Sequence, residues 1–537
     1  MLFSQLIQRL IQDTTEKSLP LFSVELCLCV TIVLMLLVRL FSVDRFLPAC
    51  VVAVIGAAAA LACSWLQYRQ IFGIPDAEPS KLFTGLLIHD SFTVYFRAFL
   101  SLFLLLTVAL TSLTGIPDDE DSPDFYSLLF GATIGMMLMA SANSLLMLFV
   151  AVEMASVPSY AMVGFLKGRK ASSEAALKYV VYGAGAAGVM LYGISLLCGV
   201  LGTADMSLLA TRFAEAAAGG SGGLADPELR TATLGILLIM VGLAFKLSLV
   251  PFHFWCPDAF EGASAEVAGF LSIASKAGAF ALLVRLCVAL LGAPGTESLM
   301  TSFGTGLGLI ACLTMTLGNL AAYGQSNLKR MLAYSTIAHA GYMVMSVSAL
   351  LVMSSSADSA TLKSDIAHAM EGLLYYLFVY MFMNLGAFAV IALVRNYTFG
   401  ETIDDVRGLI SQSPVLCVVM LICMFSLVGL PPFGGFVGKL FIFASTYKAG
   451  DVHKFMYVVL AFGALNTVFS LFYYMRVLRV MFLEQRPAEA SPVPVRFASW
   501  ESAFVLTLAL FVLLLGVAPY VMSSTANTAA QSLALFR

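Results

Sequence analysis

The sequence has few charged residues for its length. Asp, Glu, Lys and Arg make up 11% of its 537 residues, whereas soluble domains average about 25%. Hydrophobic residues make up 60%, and the mean hydropathy is +0.93. A soluble fold cannot bury so much apolar surface, so the composition excludes an ordinary soluble protein and predicts a polytopic membrane protein surrounded by lipid.

The sequence also lacks motifs for metal, disulfide or nucleotide binding. Of its 10 cysteines, only Cys27 and Cys29 lie close together, and there is no C-x-x-C. This spacing disfavours a metal cluster or a disulfide framework, so we interpret the cysteines as small apolar residues of membrane helices. No nucleotide-binding loop or nucleophile–base motif is present, and nothing predicts nucleic-acid binding. The chemistry that remains is the movement of protons or cations.

Long apolar stretches dominate the chain. A helix needs about 20 apolar residues to cross roughly 30 Å of hydrocarbon. We predict an all-α integral membrane protein of about fourteen spans, which lie near 20–41, 47–68, 84–113, 125–142, 144–167, 173–200, 231–255, 263–292, 301–322, 327–353, 370–395, 414–447, 455–483 and 499–524. The seventh is broken by VPFHFWCP and the twelfth by GLPPFGGFVG.

Basic residues indicate the orientation of the spans. They are somewhat more frequent in loops after odd-numbered spans, for example Lys167, Arg169 and Lys170, than in the other loops. Cytoplasmic loops are enriched in Lys and Arg. Both termini are therefore expected on the outer side of the membrane.

Ionisable residues occur inside the predicted spans, and Lys246 is the clearest case. A cation at bilayer depth costs roughly 2.5 to 3.5 kcal/mol on insertion scales. Pro251 follows five residues later, and a proline frees backbone carbonyls beside which a cation or water can lie. The sequence therefore predicts a site that holds charge inside the membrane.

Lys439 lies beside the second break as Lys246 lies beside the first. Discontinuous helices at matching positions of two halves are typical of inverted-repeat transporters, with the site at the breaks. A snorkelling lysine near a helix end is the alternative for Lys439. The predicted organisation has four parts: an N-terminal three-helix segment (1–113), a first repeat of spans four to eight (114–292), a second, inverted repeat of spans nine to thirteen (293–485) and a C-terminal helix (486–537).

Glu153, in the fifth span, and Lys276, in the eighth, are further candidates. A lone carboxylate at that depth either binds a proton or pairs with a lysine, and a static ion pair between helices is the structural alternative. Lys276 lies among small residues, and a lysine can release its proton, whereas Arg285 stays charged. We predict a role in proton relay for Glu153 and Lys276 and a structural role for Arg285.

His339 and Lys178 are two further candidates, and the sequence leaves an alternative open for each. The imidazole of His339, in the tenth span, suits proton transfer, but a buried histidine that only forms hydrogen bonds is equally compatible with the sequence. Lys178 lies four residues after Glu174. A surface ion pair and a role in the relay both remain open for it.

Five segments together point to one family. They are EMASVPSYAMVGF, SSEAALKYVVYGAGAAGVMLYG, GLAFKLSLVPFHFWCPDAFEGASAEVAGFLSIASKAGAF, YGQSNLKRMLAYSTIAHAGYM and FSLVGLPPFGGFVGKLFIF. They resemble the subunit N family of NADH-quinone oxidoreductase, an antiporter-like subunit of the complex I membrane arm, over roughly residues 120–485. The ASKAGAF segment and a lysine instead of a glutamate in the twelfth helix favour subunit N over the related M and L subunits.

The resemblance implies roles for five residues. Glu153 and Lys246 would form a pair of the fifth and seventh helices. Lys276 would be the connecting lysine of the eighth helix, and Lys439 the terminal lysine of the twelfth. His339 would be a polar bridge between them. The family also implies fourteen helices, two inverted five-helix repeats and a hydrophilic axis along the membrane plane.

The resemblance further implies a proton-pumping translocase of the bacterial inner membrane. Flavin mononucleotide, iron–sulfur clusters and quinone would be held by other subunits, and the partners would be the M-type and small K-type membrane subunits. The rival hypotheses are a cation/proton antiporter on the same fold and a purely structural membrane subunit. The loop EGASAEV departs from the family's Q-G-A-P-x-P-V, with Glu261, Ser264 and Glu266 at its altered positions, which puts the rigidity of that loop in doubt.

Overall fold

The computed structural model describes residues 2–42, 46–71, 79–118, 121–219, 226–290, 297–355, 359–488 and 491–534. The predicted boundary between the two repeats, at 292/293, lies outside these residues, as do Arg45 and Arg537, two basic residues that entered the prediction of orientation.

The α-helices are α1 (Leu2–Gln12), α2 (Leu19–Leu21), α3 (Ser23–Leu40), α4 (Ala49–Ile71), α5 (Ser91–Thr114), α6 (Ser122–Ser141), α7 (Leu145–Val163), α8 (Lys170–Leu201), α9 (Leu209–Gly219), α10 (Pro227–Leu247), α11 (Trp255–Gly262), α12 (Ala265–Phe270), α13 (Lys276–Leu290), α14 (Glu297–Ala322), α15 (Leu328–Ser354), α16 (Ser359–Thr398), α17 (Pro414–Val428), α18 (Gly434–Val452), α19 (Phe455–Leu483), α20 (Trp500–Val517) and α21 (Tyr520–Ala534). Single turns of π or 3₁₀ helix occupy Asp13–Ser18, Phe83–Gly85, Met206–Leu208, Leu271–Ser275, Asp404–Val406 and Leu409–Ser411, and the strands are β1 (Ser80–Leu82) and β2 (Leu87–His89).

The described residues confirm the predicted membrane fold. They contain 13 helices that are long and apolar enough to cross a membrane, and a bent pair, 404–411 with 414–428, brings the number to as many as 14. The predicted seventh span is broken after α10 and continues as α11, and the predicted twelfth span is divided into α17 and α18. Both breaks fall at the prolines, which cannot continue the hydrogen-bond ladder of a helix.

The beginning of the third span differs from the prediction. Residues near 84 form a short hairpin, in which β1 pairs with β2 in antiparallel fashion and Lys81 lies opposite Ile88. Asp90 then caps α5, because its carboxylate accepts a hydrogen bond from the backbone N–H of Thr93 at 2.8 Å. The helix therefore begins at Ser91, about two turns later than hydrophobicity alone suggested.

The most deeply buried helices lie at the centre of the molecule. We compared the share of each span's apolar window that is buried inside the protein. This share is 100% for α15 and 94% both for α16 and for the span formed by α12 and α13. The corresponding value for α3 is 28%. The central helices are thus shielded from lipid by protein, which allows them to carry polar side chains at membrane depth.

Candidate functional site

The break of the seventh span exposes a helix end inside the protein. α10 ends at Leu247, and Ser248 adopts a left-handed conformation with φ of 58°. The last carbonyls of a helix have no intrahelical donor, so they need partners from elsewhere. Part of this need is met by Trp255, whose Nε1 donates to the carbonyl of Phe245 at 2.9 Å.

Lys276 binds the end of α10. Its Nζ donates to the carbonyl oxygen of Leu247 at 2.9 Å and to Oγ of Ser248 at 3.0 Å. The lysine is buried and follows a π turn, Leu271–Ser275, a type of irregularity that is frequent at functional sites. A buried ammonium group is thus held by neutral oxygens at the broken helix.

Lys439 makes the same arrangement at the second break. Its Nζ donates to the carbonyl oxygens of Leu427 and Val428, the last residues of α17, at 3.1 and 2.9 Å. The ammonium also lies 4.4 Å from the centre of the Tyr342 ring, a favourable cation–π geometry. Lys439 is buried, so it does not snorkel toward a membrane surface.

The two breaks therefore correspond through Lys276 and Lys439. The sequence pointed to Lys246 as the counterpart of Lys439, because Lys246 lies next to the first break along the chain. In the folded chain, the lysine that binds the carbonyls of that break is Lys276, 28 residues from Ser248. Sequence distance could not reveal this contact, because the two residues meet only when α13 packs beside the end of α10.

Lys246 points to a different neighbour. Its Nζ donates to Oγ of Ser156 at 3.0 Å, and the lysine is buried. Ser156 lies one helical turn after Glu153 on α7. Glu153 is only partly buried and forms no ion pair with Lys246 within 4.0 Å. In this structure Lys246 thus contacts a serine, where the sequence suggested a direct contact of Lys246 with Glu153. Sequence reasoning did not single out Ser156.

His339 lies among hydroxyl groups of the second half. Its Nδ1 is 2.7 Å from the hydroxyl of Tyr376, and its Nε2 is 3.2 Å from the hydroxyl of Tyr474. The Tyr474 hydroxyl is in turn hydrogen-bonded to Oγ of Ser335. Both ring nitrogens are therefore engaged, one as a donor and the other as an acceptor when the imidazole is neutral.

Tyr342 joins His339 to Lys439. Its ring centre lies 5.9 Å from that of His339 and 4.4 Å from the Lys439 Nζ, and its hydroxyl is 3.3 Å from Oγ1 of Thr467. The hydrogen bonds of Asn319 with Asn466 and Tyr473 extend this polar region. Sequence reasoning missed the tyrosines and asparagines, because uncharged polar residues are common in membrane helices.

Lys178 lies apart from the buried lysines. Its side chain is 42% exposed and forms ion pairs with Glu174 at 2.8 Å and Asp258 at 2.9 Å. Asp258 also pairs with Arg330 at 2.7 Å, and Arg330 with Glu261 at 2.6 Å. The predicted pair with Glu174 is thus one part of a larger surface network that joins α8, α11 and α15.

The altered loop after the seventh span is held by charge instead of proline. Ser264 caps α12 by accepting a hydrogen bond from the N–H of Val267 at 3.4 Å. Glu266 is buried and pairs with Arg395 of α16, with N–O distances of 3.2 and 3.4 Å. The loop is therefore anchored by a helix cap and a buried ion pair at the positions where the family has prolines.

Two further buried arginines have buried carboxylate partners. Arg285 binds both oxygens of Asp90, at 2.9 and 2.7 Å, and Arg97 binds Glu25 at 2.7 Å. The Arg285 pair agrees with its predicted structural role, because each group neutralises the other. By contrast, among the described residues no carboxylate lies within 4.0 Å of the ammonium groups of Lys246, Lys276 or Lys439.

The site offers groups that bind and release protons. Among the described residues, no group of three or more His, Cys, Asp or Glu side chains is arranged to hold a metal ion. The buried lysines and His339 are linked to hydroxyls and carbonyls, which suits proton exchange along short hydrogen-bonded steps.

Comparisons with known proteins place the chain in a family. Residues 142–470 match the family described as NADH:quinone oxidoreductase/Mrp antiporter, transmembrane region. NADH-quinone oxidoreductase subunit N of Anaeromyxobacter sp. (strain Fw109-5) is 40% identical over 79% of this chain and 80% of its own length. Subunit N 2 of Sorangium cellulosum (strain So ce56) is 38% identical over 89% and 91%.

Solved structures agree with this relationship. A chain of respiratory complex I from Thermus thermophilus with bound Aureothin is 30% identical and matches with a TM-score of 0.71 over 93% of this chain and 98% of its own. A chain of the Mrp complex from Dietzia sp. DQ12-45-1b is 19% identical and has a TM-score of 0.77 over 96% and 97%. At that identity the second match indicates a shared fold only.

Proposed function

The chain belongs to the subunit N family of NADH-quinone oxidoreductases, and from this premise we propose that it translocates protons across the membrane as part of such a complex. Electron transfer from NADH to quinone in other subunits drives the movement. The observation that carries the proposal is the state of Lys246, Lys276 and Lys439, which are buried and, among the described residues, hydrogen-bonded only to neutral oxygens. An ammonium without a paired carboxylate can lose its proton without leaving an unbalanced negative charge.

In the proposed relay, protons pass along the row of buried groups. Lys246 alternates between Ser156, as observed, and Glu153, one turn away on α7. It then exchanges a proton with Lys276, and the path continues through His339 to Lys439. Moving one charge against 100 mV costs about 2.3 kcal/mol, which is less than the roughly 3 to 5 kcal/mol for breaking one buried ion pair.

The fold supports the wider assignment. The first proposed repeat (114–292) and the second (293–485) each contain one broken helix with a lysine bound to its carbonyl end. We place flavin mononucleotide, the iron–sulfur clusters and quinone in partner subunits, and M-type and small K-type membrane subunits beside this chain. The complex would lie in the bacterial inner membrane, with both termini of this chain on the periplasmic side.

The decisive experiment measures protons pumped per electron. Lys246→Ala and Glu153→Ala are introduced into the complete complex, which is then reconstituted in vesicles with NADH and quinone. We expect both variants to pump fewer protons, because the first exchange step loses its donor or its acceptor. Lys454→Met, which removes an exposed lysine, is the matched control. Full pumping by both variants in a correctly assembled complex would refute the relay.

A cation/proton antiporter is the second candidate, supported by the fold shared with the Mrp chain. Sodium-dependent transport by the isolated chain in vesicles would favour it over the first proposal. A third possibility, a structural subunit, is tested by neutralising Lys246, Lys276 and Lys439 together. Normal pumping by that triple variant would assign the chain a scaffold role.

A further inference from the structure

Two neighbouring clefts open on the surface formed by α8, α10, α11, α15 and the segment that joins α10 to α11. One has a volume of about 310 Å³ and is lined by charged and aromatic side chains: Lys178, Tyr182, His253, Phe254, Pro257, Asp258, Arg330 and Tyr334. The other has a volume of about 400 Å³, is almost entirely apolar, and includes Val181, Gly185, Val189, Phe245 and Trp255. Tyr182 and Phe254 line both clefts, so the two form one continuous groove with a charged end and an apolar end.

The apolar end of the groove follows α8 into the membrane. Eleven residues separate Lys178 from Val189, a rise of about 16 Å along the helix, which is close to half of the roughly 30 Å of bilayer hydrocarbon. Tyr182 and Phe254 are 52% and 62% exposed, as expected of side chains in contact with hydrocarbon. The groove therefore has the length of one leaflet, with its charges at the end nearer the start of α8.

The charged end of the groove is complementary to a lipid headgroup that carries both a positive and a negative charge. Arg330 contacts Asp258 and Glu261 through the same nitrogen, Nη1, and no other hydrogen bond of its side chain occurs among the described residues, so Nη2 and Nε can bind a phosphate. The network as a whole contains two basic groups and the three carboxylates of Glu174, Asp258 and Glu261. This excess of negative charge favours an ammonium group on the ligand.

We propose that this groove binds a phospholipid whose headgroup contains a phosphate and a primary ammonium, as in phosphatidylethanolamine. The phosphate lies against Lys178 and Arg330, the ammonium lies near the carboxylates, and one acyl chain occupies the apolar cleft. This assignment goes beyond the proposed relay. It also places a lipid tail against Phe245 and Trp255, the residues joined by a hydrogen bond at the break of the seventh span.

Two glycines of α8 provide a matched test. A Cβ atom added at Gly185, within the apolar cleft, meets nothing within 4 Å, and the same holds at Gly199, beyond the cleft on the same helix. Gly185→Trp therefore introduces a bulky side chain into the cleft at a position where its Cβ meets no neighbour, and Gly199→Trp places the same side chain elsewhere. Neither residue belongs to the proposed proton relay.

The measurement is photo-cross-linking of lipid to the complete complex. Complexes in phosphatidylcholine nanodiscs receive phosphatidylethanolamine with a photoreactive group in one acyl chain, and labelled peptides are identified by mass spectrometry. We expect labelling of residues 181–189 and 245–255, reduced about tenfold by Gly185→Trp and unchanged by Gly199→Trp.

Three outcomes would overturn the proposal. The first is labelling of the groove no stronger than that of other lipid-exposed segments. The second is equal labelling in Gly185→Trp and the wild type. The third is equal labelling by phosphatidylglycerol with the same photoreactive chain, which would refute the headgroup assignment. None of these results depends on proton pumping, so failure here is distinguishable from failure of the relay.

Discussion

What a buried cationic side chain can do depends on its hydrogen-bond partner as well as on its own chemistry. Arg285 and Arg97 each pair with a buried carboxylate, and such pairs hold elements together. Lys246, Lys276 and Lys439 instead contact hydroxyl and carbonyl oxygens. On this difference rests the proposal that the three lysines exchange protons, whereas the two arginines serve as fixed bridges.

Ser156 is the residue whose contribution is easiest to isolate. Ser156→Ala removes the hydrogen-bond partner of the Lys246 ammonium, and a buried donor left without a partner costs about 1 to 3 kcal/mol. We expect lower thermal stability of the purified complex together with fewer protons pumped per electron.

Ser159→Ala is the matched control for this change. Ser159 lies one turn further along α7, is buried, and donates to the carbonyl of Ala155 at 2.6 Å without contacting a lysine. It should leave pumping unchanged. Equal pumping defects in the two variants would contradict a specific role for Ser156.

The sequence identified the unusual residues but not their contacts. Charge at membrane depth was enough to single out Lys246, Lys276 and Lys439. Their partners were not predictable, because they lie far away along the chain. Ser156 is 90 residues from Lys246, and Leu247, whose carbonyl binds Lys276, is 29 residues from that lysine. Such contacts follow from helix packing, which a single sequence does not specify.

At the scale of the helices, proline and glycine act in different ways. The prolines near the two breaks made both interruptions predictable from the sequence. The β1–β2 hairpin was not predictable, because its residues are apolar enough to extend the third span. Glycine acts through close approach: a Cβ atom on Gly193 would lie 2.7 Å from the carbonyl oxygen of Gly235, so α8 and α10 pack almost backbone to backbone.

Gly193→Ala should therefore force α8 and α10 apart. Overpacking of this kind typically costs about 1 to 3 kcal/mol, so we expect a lower midpoint of thermal unfolding for the purified complex. Gly199→Ala, where a Cβ meets nothing within 4 Å, should have the wild-type midpoint or a slightly higher one. Unchanged stability of Gly193→Ala would mean that the two helices are not in close contact in the membrane.

At the scale of the whole molecule, charge joins the two proposed repeats. Glu266 of the first pairs with Arg395 of the second, and Lys329 of the second donates to the carbonyl of Ala263 at 2.5 Å. These contacts lie in the loop whose sequence departs from the family pattern. The departure is therefore accompanied by an ion pair and a hydrogen bond that fix the loop where prolines are usual.

Removing one member of the buried pair should be costly. Glu266→Ala leaves Arg395 buried without its partner, which typically destabilises a protein by about 3 to 5 kcal/mol. We expect a large fall in the thermal midpoint, and substantial recovery in the double variant Glu266→Leu with Arg395→Met. Glu215→Ala, which breaks the exposed pair with Arg212, should change little. A small effect of Glu266→Ala would show that the pair does not join the halves.

The two hydroxyls that flank His339 would set the timing of proton transfer in the proposed relay. If a proton arrives at Nδ1 from Tyr376 and another leaves Nε2 toward Tyr474, the imidazole ends in the opposite tautomer and the hydrogen bonds on both sides are reversed. A second proton cannot follow in the same direction until the ring and the hydroxyls have reoriented. In the proposed relay, passage through His339 therefore takes two steps, a proton transfer followed by reorientation, and the slower step sets the highest rate at which the second half can conduct.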